Sequence, residues 1–299
     1  MINLTRNHSR IFGFIFLIFI LSTISISVAA DIVIEGKLIR EQSVCPGDTY
    51  DGYIQIKNIS TTPVQLKIYQ TDYLFSHEGW SRYPEPAGQT IRSNANWIYF
   101  KPSHIEIPPH EKSTIHYRIT VPPEHSLNGT YWSMLMIEEF PVENNQNHVQ
   151  KSGSESPDLV MELQQIMRYG IQIVTNIENT GTREIQIINK KLILIPTSNP
   201  NSETSKTNKM EKSKKYFVIE LDVKNTGERL LRPTAWLELY DLQGSFIGKY
   251  EGGKYVIYPD NSVRYKIDLG NLLPQEYKAL LILDNGDENI WGNQFTLSL

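Results

Sequence analysis

One pattern occurs twice in this chain, and it constrains the fold more than any other feature. In the first copy a strand from Tyr53 to Asn58 ends in Lys57-Asn58. A turn at Ile107-Pro108-Pro109 then leads into Ile115-His116-Tyr117-Arg118-Ile119, and Gly129-Thr130-Tyr131 leads into Met134-Leu135-Met136-Ile137. In the second copy Phe217 to Asn225 ends in Lys224-Asn225. Ile257-Tyr258-Pro259 follows and leads into Val263-Arg264-Tyr265-Lys266-Ile267, and Glu276-Tyr277 leads into Leu280-Leu281-Ile282-Leu283. Order and spacing agree apart from a small gap, which points to two β-sandwich domains of one kind. Val64 to Tyr69, Ile115 to Val121 and Trp236 to Tyr240 alternate or concentrate β-branched and aromatic residues, as half-buried strands do. No long helical stripe interrupts them, so the expected fold is all-β, two tandem sandwiches.

The N-terminus reads as an export signal. Arg6 and Arg10 precede an apolar stretch from Ile11 to Leu21, and a serine-rich tail closes on Val28-Ala29-Ala30 with small residues at the cleavage positions. Residues 1–30 are therefore expected to be a signal peptide with Asp31 as the first mature residue. The alternative is an uncleaved anchor, because Ile11 to Ala30 is just long enough to cross a bilayer; the membrane would then be touched through that segment. The net charge is −4, and loss of Arg6 and Arg10 takes it to −6. Such a balance argues against nucleic acid as a partner, since phosphate binding needs a basic face. A single cysteine, Cys45, forms no intrachain disulfide, so both cores must hold by packing.

Two polar stretches break the strand rhythm. Glu143 to Asp158 is rich in Asn, Gln and Ser, and reads as a long exposed loop of the first domain. Thr197 to Lys215 carries Lys206, Lys209, Lys212, Lys214 and Lys215; it reads as a solvated loop of the second domain or as a contact for an anionic envelope polymer. Asn179-Thr180-Gly181 marks a turn between strands. The expected organisation is thus domain 1 over 31–178 and domain 2 over 179–299, with a hinge near Asn176 to Arg183.

Catalytic signatures are missing. Seven histidines are scattered without metal-ligand spacing, and there is no glycine-rich phosphate loop or nucleophile elbow. Glu138 and Glu139, if on a strand, point to opposite faces. The expectation is a protein that is not an enzyme and uses no metal or cofactor. More informative is Leu159 to Thr175, where Leu159, Met161, Leu163, Met167, Tyr169, Ile171 and Ile173 fall on one side, with Gln165 the exception, and Glu162, Gln164, Arg168 and Gln172 on the other. Such a run makes either a last sandwich strand lying on the core, or a strand long enough to overhang its sheet and offer Met161, Leu163 and Met167 to a partner by strand addition.

Trp97 to Pro102, Ile105-Glu106-Ile107-Pro108 and Thr114 to Ile119 together resemble the middle of the first domain of periplasmic pilus-assembly chaperones. The polar loop before an alternating apolar strand is similar to that family too. The resemblance implies two immunoglobulin-like domains and a strand that supplies a missing strand to a fibre subunit. It also implies a pair of basic residues in the interdomain cleft that anchors the subunit's C-terminal carboxylate; Arg168 and Arg40 come closest to those positions. Glu124 to Thr130 departs from the family, standing where an acidic-Arg-Glu-Ser motif is typical. Lys224-Asn225-Thr226-Gly227 with Arg232-Pro233 resembles immunoglobulin-like modules of exported proteins, including surface proteins that partner WxL-type wall proteins. The expected function is an exported, non-enzymatic, chaperone-like binder of envelope or surface protein subunits, periplasmic or extracellular. The alternative is a structural or adhesive module binding wall polymer or surface glycans, with Trp80, Tyr83 and Trp97 as stacking aromatics.

Overall fold

The computed structural model describes residues 31–140, 166–196 and 215–299. They form two immunoglobulin-like β-sandwiches. In the first, one sheet has the order β1 (Ile32–Glu35), β3 (Thr49–Asn58), β9 (Lys112–Thr120), β7 (Ile98–Lys101). The facing sheet has the order β2 (Ile39–Val44), β11 (Arg168–Ile177), β10 (Thr130–Phe140), β4 (Val64–Thr71), β8 (His104–Ile107). A two-residue hairpin, β5 (Leu74–Phe75) with β6 (Ser81–Arg82), projects from it. In the second sandwich β12 (Ile185–Pro196), β13 (Lys215–Asn225) and β16 (Ser262–Gly270) form one sheet. The other runs β15 (Phe246–Lys254), β14 (Thr234–Tyr240), β17 (Glu276–Asp284), β18 (Ile290–Ser298). Each sandwich encloses its own core, Ile54, Ile56, Ile115, Leu135 and Ile171 in the first and Leu221, Leu237, Tyr265, Ile267 and Leu281 in the second.

The repeated Lys-Asn has a structural cause. Asn58 and Asn225 are fully buried at the ends of equivalent strands. Asn58 Nδ2 donates to the carbonyls of Ile107 (2.9 Å) and Thr62 (2.8 Å), and its Oδ1 accepts from Ser60 N at 2.8 Å. Asn225 Nδ2 donates to Ile257 (2.8 Å) and Arg229 (2.7 Å), and its Oδ1 accepts from Gly227 N at 2.9 Å. Each amide thereby ties the turn after its own strand to the proline-containing turn that opens the next. The latter turn holds a residue at positive φ in both copies, His110 and Asp260, each at 62°. Only a side chain with donor and acceptor on one short stem satisfies all these groups, and buried polar groups left unpaired are costly.

The first strand of the first sandwich changes sheets. β1 pairs antiparallel with β3, the chain crosses at Gly36 (φ 89°), and β2 then pairs parallel with β11, Ile39 opposite Gln172 through Val44 opposite Ile177. The crossing needs glycine for its positive φ, and a methyl group there would press lightly, at 3.2 Å, on the movable Arg40 guanidinium. In the second sandwich no such switch occurs. β12 stays with β13 over its whole length.

The sandwiches meet across a mixed seam. Trp132, Val174, Leu230 and Tyr258 form a buried cluster, with the Trp132 and Tyr258 rings stacked 4.6 Å apart and Trp132 Nε1 donating to Tyr73 O at 2.8 Å. Around it Glu228 O accepts from Thr130 N at 2.8 Å, Glu228 Oε1 accepts from Asn128 Nδ2 at 2.8 Å, and Thr130 Oγ1 accepts from Leu230 N at 2.9 Å. The β5–β6 hairpin docks on the second sandwich, where Phe75 N donates to Asn261 Oδ1 at 2.7 Å and His77 N to Ser262 Oγ at 3.1 Å. The connection between β11 and β12 is bonded in as well, because Arg229 donates to the carbonyls of Ile177 (2.7 Å) and Thr180 (3.0 Å). Every one of these contacts depends on the two units holding one orientation.

Replacing Asn58 or Asn225 by Ala should lower stability by about 1–3 kcal/mol each, since each substitution orphans buried carbonyls and an amide. The check is a shift in urea midpoint at unchanged m-value. Loss within ±0.5 kcal/mol at both sites would show that water serves these turns equally well.

Candidate partner-binding site

β11 has two faces. Tyr169, Ile171 and Ile173 lie on the first core, and Tyr169 OH donates to Ile32 O at 3.2 Å. On the opposite face Gln172 accepts a hydrogen bond from Tyr258 OH, and Val174 enters the interdomain cluster. The strand begins at Arg168 and runs on to Ile177, two residues past the apolar alternation read from the sequence. Met161, Leu163, the stretch from Glu143 to Asp158 and most of the lysine-rich stretch after Thr197 lie outside the described residues. Met167 immediately precedes the strand, its carbonyl accepting from Glu139 N at 3.3 Å.

The N-terminal end of β11 is paired on one side. β10 covers Arg168 to Asn176, from Glu138 opposite Arg168 to Thr130 opposite Asn176. β2 starts only at Gln172, whose amide donates to Leu38 O at 2.8 Å. Odd-numbered residues bond toward β10 and even-numbered ones away from it, so the backbone amides and carbonyls of Arg168 and Gly170 point to the side that β2 has not reached. Among the described residues no strand pairs there. The segment is a short open edge on an otherwise doubly paired strand.

Below this edge β2 lines a cleft of about 490 Å³ in the first sandwich, walled by Lys37, Arg40, Glu41, Tyr50, Asp51 and Tyr117, to which the second sandwich contributes Arg232. Its charges divide into two groups. Arg232 pairs with Glu41, and Asp51 pairs with Arg118 at 2.7 Å. Among the described residues neither Lys37 nor Arg40 makes an ion pair. Arg40 donates from Nη2 to Glu35 O at 3.0 Å, and its Nε is buried without a hydrogen-bond partner. Burial pushes the Tyr50 hydroxyl up to about 12 against the opposing bond to Thr175 (2.9 Å), and raises Tyr117 as well. Both phenols therefore stay neutral at physiological pH. The cleft thus offers two uncompensated cations beside neutral hydroxyls, which suits an anionic group.

The two arginines singled out by resemblance are not brought together. Arg40 lies opposite Ile173, five positions along β11 from Arg168, about 16 Å at the rise of a strand. Arg168 is 58% exposed and donates from Nε to Glu138 Oε2 at 2.9 Å, while Glu138 also accepts from Tyr69 OH at 2.7 Å. Its charge is already compensated. The cation near Arg40 is Lys37, one residue past the Gly36 crossing, and only the sheet switch, which sequence spacing does not reveal, places it there. The aromatics offered for sugar stacking are engaged elsewhere: Trp97 packs on Tyr131 (4.7 Å), Tyr83 stacks on Tyr73 (5.5 Å), and Arg82 covers Trp80 (4.4 Å). Among the described residues no group of three or more His, Cys, Asp or Glu side chains could hold a metal ion, and no helix is long and apolar enough to cross a membrane.

No family model matches the chain, and no curated protein matches it in sequence. Among solved structures it is similar to a chain of the chaperone–tip adhesin complex of CFA/I fimbriae, at 14% identity over 89% of this chain and 98% of that one, with a TM-score of 0.43. It is similar to the class 5 fimbriae chaperone CfaA at 13% identity, 90% and 100% coverage and a TM-score of 0.42. The E. coli chaperone DraB gives 10%, 90% and 98%, and 0.37. Fimbrial chaperones thus stand among its structural neighbours, at low identity.

Glu139, at the head of the open edge, yields a test of the local electrostatics. Its Oε1 is buried without a partner, and burial followed by the nearby Asp31 raises its pKa. A carboxyl whose folded pKa lies above its unfolded value weakens the fold above that folded pKa, and the penalty vanishes as pH falls below the unfolded one. Glu139→Gln should therefore raise the melting temperature at pH 7 and leave it unchanged near pH 3. An unchanged difference between the two pH values would show that the carboxyl is solvated.

Proposed function

We propose that the protein is an exported, non-enzymatic binder of envelope or surface protein subunits, acting in the manner of an assembly chaperone. It accepts an extended strand of the subunit along the open edge of β11, and an acidic group or chain terminus of that strand sits in the cleft at Arg40 and Lys37. The observation that carries this reading is the four-residue stretch, Arg168 to Ile171, which among the described residues has no strand on its outer side and lies beside two cations, Lys37 and Arg40, that make no ion pair. Strand addition uses this kind of edge, main-chain bonds giving affinity and alternate side chains giving selectivity. The resemblance stated from Trp97 to Ile119 supports it, as does the apolar alternation running upstream through Met167, Leu163 and Met161. An N-terminal signal over residues 1–30 would deliver the chain to the periplasm or the exterior. The alternative is a structural or adhesive module binding wall polymer or surface glycans; of its stacking aromatics Trp97 packs on Tyr131 and Trp80 lies under Arg82, while Tyr83, stacked on Tyr73, keeps an exposed face.

Capture of partners from the native envelope fraction tests the proposal. Arg40→Ala and the double change Met161→Ser, Leu163→Ser should each reduce capture while leaving the melting temperature nearly unchanged. Arg168→Ala should leave capture intact and cost at most ~1 kcal/mol, as expected of an exposed ion pair. If Met161 and Leu163 were core residues, the double change would instead cost about 2 kcal/mol or more. Undiminished capture by both Arg40→Ala and the Ser variant, at unchanged stability, would refute the reading.

A further inference from the structure

Among the described residues the four sheets of the sandwiches have eight edge strands, and seven carry a device against unwanted pairing. β1, β7 and β8 are four residues long. β2 presents Arg40 and Glu41. β12 has a register break between Ile187 and Asn189 followed by Lys190 and Lys191. β15 has two breaks opposite it and Lys249, Glu251 and Lys254. β16 carries Arg264, Lys266 and Asp268. Short strands, charges and bulges are the usual ways a sheet edge is kept from recruiting another chain. β18 has none of them. It is nine residues, Ile290 to Ser298, with an unbroken register to β17 and neither a charge nor a proline.

The side of β18 that faces away from β17 opens on an apolar gap. Between β18 and β12 lies a cavity of about 340 Å³, lined by Ile185, Ile187, Leu281, Leu283, Trp291 and Asn293. It exists because β12 never leaves β13. The duplication inside the molecule shows what such a gap takes. β4, β10 and β11 are ordered as β14, β17 and β18 are, and in the first sandwich the outer side of β11 is occupied by β2, running parallel to it. Leu299 N donates to Gln275 O, so odd-numbered residues of β18 bond inward and the amides and carbonyls of Gly292, Gln294 and Thr296 point outward. A strand placed there in parallel would lay its first alternate side chains into the gap and pass Lys190 further on. The Lys190 ammonium sits 3.0 Å from the centre of the Phe295 ring, and burial lowers its pKa.

We propose that the outer edge of β18 is a second strand-accepting site, and that its occupant is an extended segment of a partner protein running parallel to β18, aliphatic at alternate positions and acidic toward its C-terminal end. A second copy of the chain fits less well. Pairing about a two-fold axis near Gln294, the centre of the strand, would bring two Lys190 ammonium groups to one seam with no acid between them, and like charges across a sheet seam oppose pairing.

The full mature chain is titrated with an acetylated octapeptide that alternates valine and threonine and ends in aspartate, while amide exchange is followed at Gly292, Gln294 and Thr296. Saturable protection at these amides is expected, and it should persist unchanged in Arg40→Ala, which separates this site from the one at β11. Of two peptides N-methylated on the two alternate sets of amides, one should bind like the parent and the other about tenfold or more weakly, since a strand bonds along one edge. Lys190→Glu should weaken the aspartate-ended peptide and strengthen a lysine-ended one. Absence of protection at the three amides, or equal binding of both methylated peptides, overturns the proposal. So does a dimer without peptide in which those amides are already protected, because the occupant would then be a second copy. Failure of Gln294→Pro, which removes an outward amide that an edge strand can spare, to weaken binding overturns it too.

Discussion

The parallel pairing of β2 with β11 starts at Ile39 and no earlier, because the chain must first cross from one sheet to the other, and most of what can be said of function depends on that. β1 is committed to β3 until Glu35. The crossing at Gly36 uses three residues before the ladder with β11 can begin, and those three residues set the length of β11 left uncovered. They also set the position of the cations: Lys37 lies in the crossing and Arg40 in the first turn of the new ladder, so both face the cleft. A first strand that stayed in one sheet would leave all of β11 open and would put no charge there. One that crossed earlier would close the edge. The size of the opening is thus a consequence of where a single glycine at φ 89° stands.

An edge presented beside a cleft is useful only if the cleft keeps its shape. Interdomain surfaces within a chain resemble transient interfaces, and relative motion is the default unless the seam is large or well bonded. Here the seam combines a dry centre, Trp132 on Tyr258, with polar contacts whose partners come from backbone on both sides. Gly129 is the tightest point. A side chain there would come within 2.1 Å of Glu228 O, so the two backbones meet in direct contact. Tyr258 connects this seam to β11, because the same ring that stacks on Trp132 donates its hydroxyl to Gln172, the residue at which β2 begins. Rotation of the second sandwich would therefore disturb the register point of the open edge.

The sequence disclosed what depends on local order. The twofold Lys-Asn, strand and proline-turn pattern gave the all-β, two-sandwich architecture, and its cause is the paired asparagine side chains, Asn58 and Asn225, which recur because the same corner must be satisfied twice. The alternation through Tyr169, Ile171 and Ile173 gave the core face of β11. What stayed hidden is non-local. Nothing in Ile39 to Val44 announces a parallel partner 133 residues away in sequence, and without that partner Lys37 has no visible connection to a binding site. Arg168 and Arg40 were paired by resemblance alone; the register sets them apart, with Arg168 ion-paired to Glu138 and Arg40 in a cleft where, among the described residues, it makes no ion pair. Tyr258 was read as part of a turn, and its role at the seam depends on how two sandwiches pack, which no single-segment pattern records.

Both strand-accepting edges follow from one rule, that a sheet must end somewhere and its last backbone groups must bond to water or to another chain. They differ in what else they offer. At β11 the opening is short and supplies few main-chain bonds, so selectivity must come from the cations below it and from the apolar residues upstream. At β18 the edge is nine residues long and uncharged, with the Lys190 ammonium beside it, so main-chain bonds and aliphatic fit would dominate. A single lysine at Gln294 or Thr296, on the solvent face, would protect β18 at almost no cost to the core, and the seven other edges show that this chain uses such protection wherever it can. An edge kept long, straight and uncharged in that company is one whose pairing is wanted.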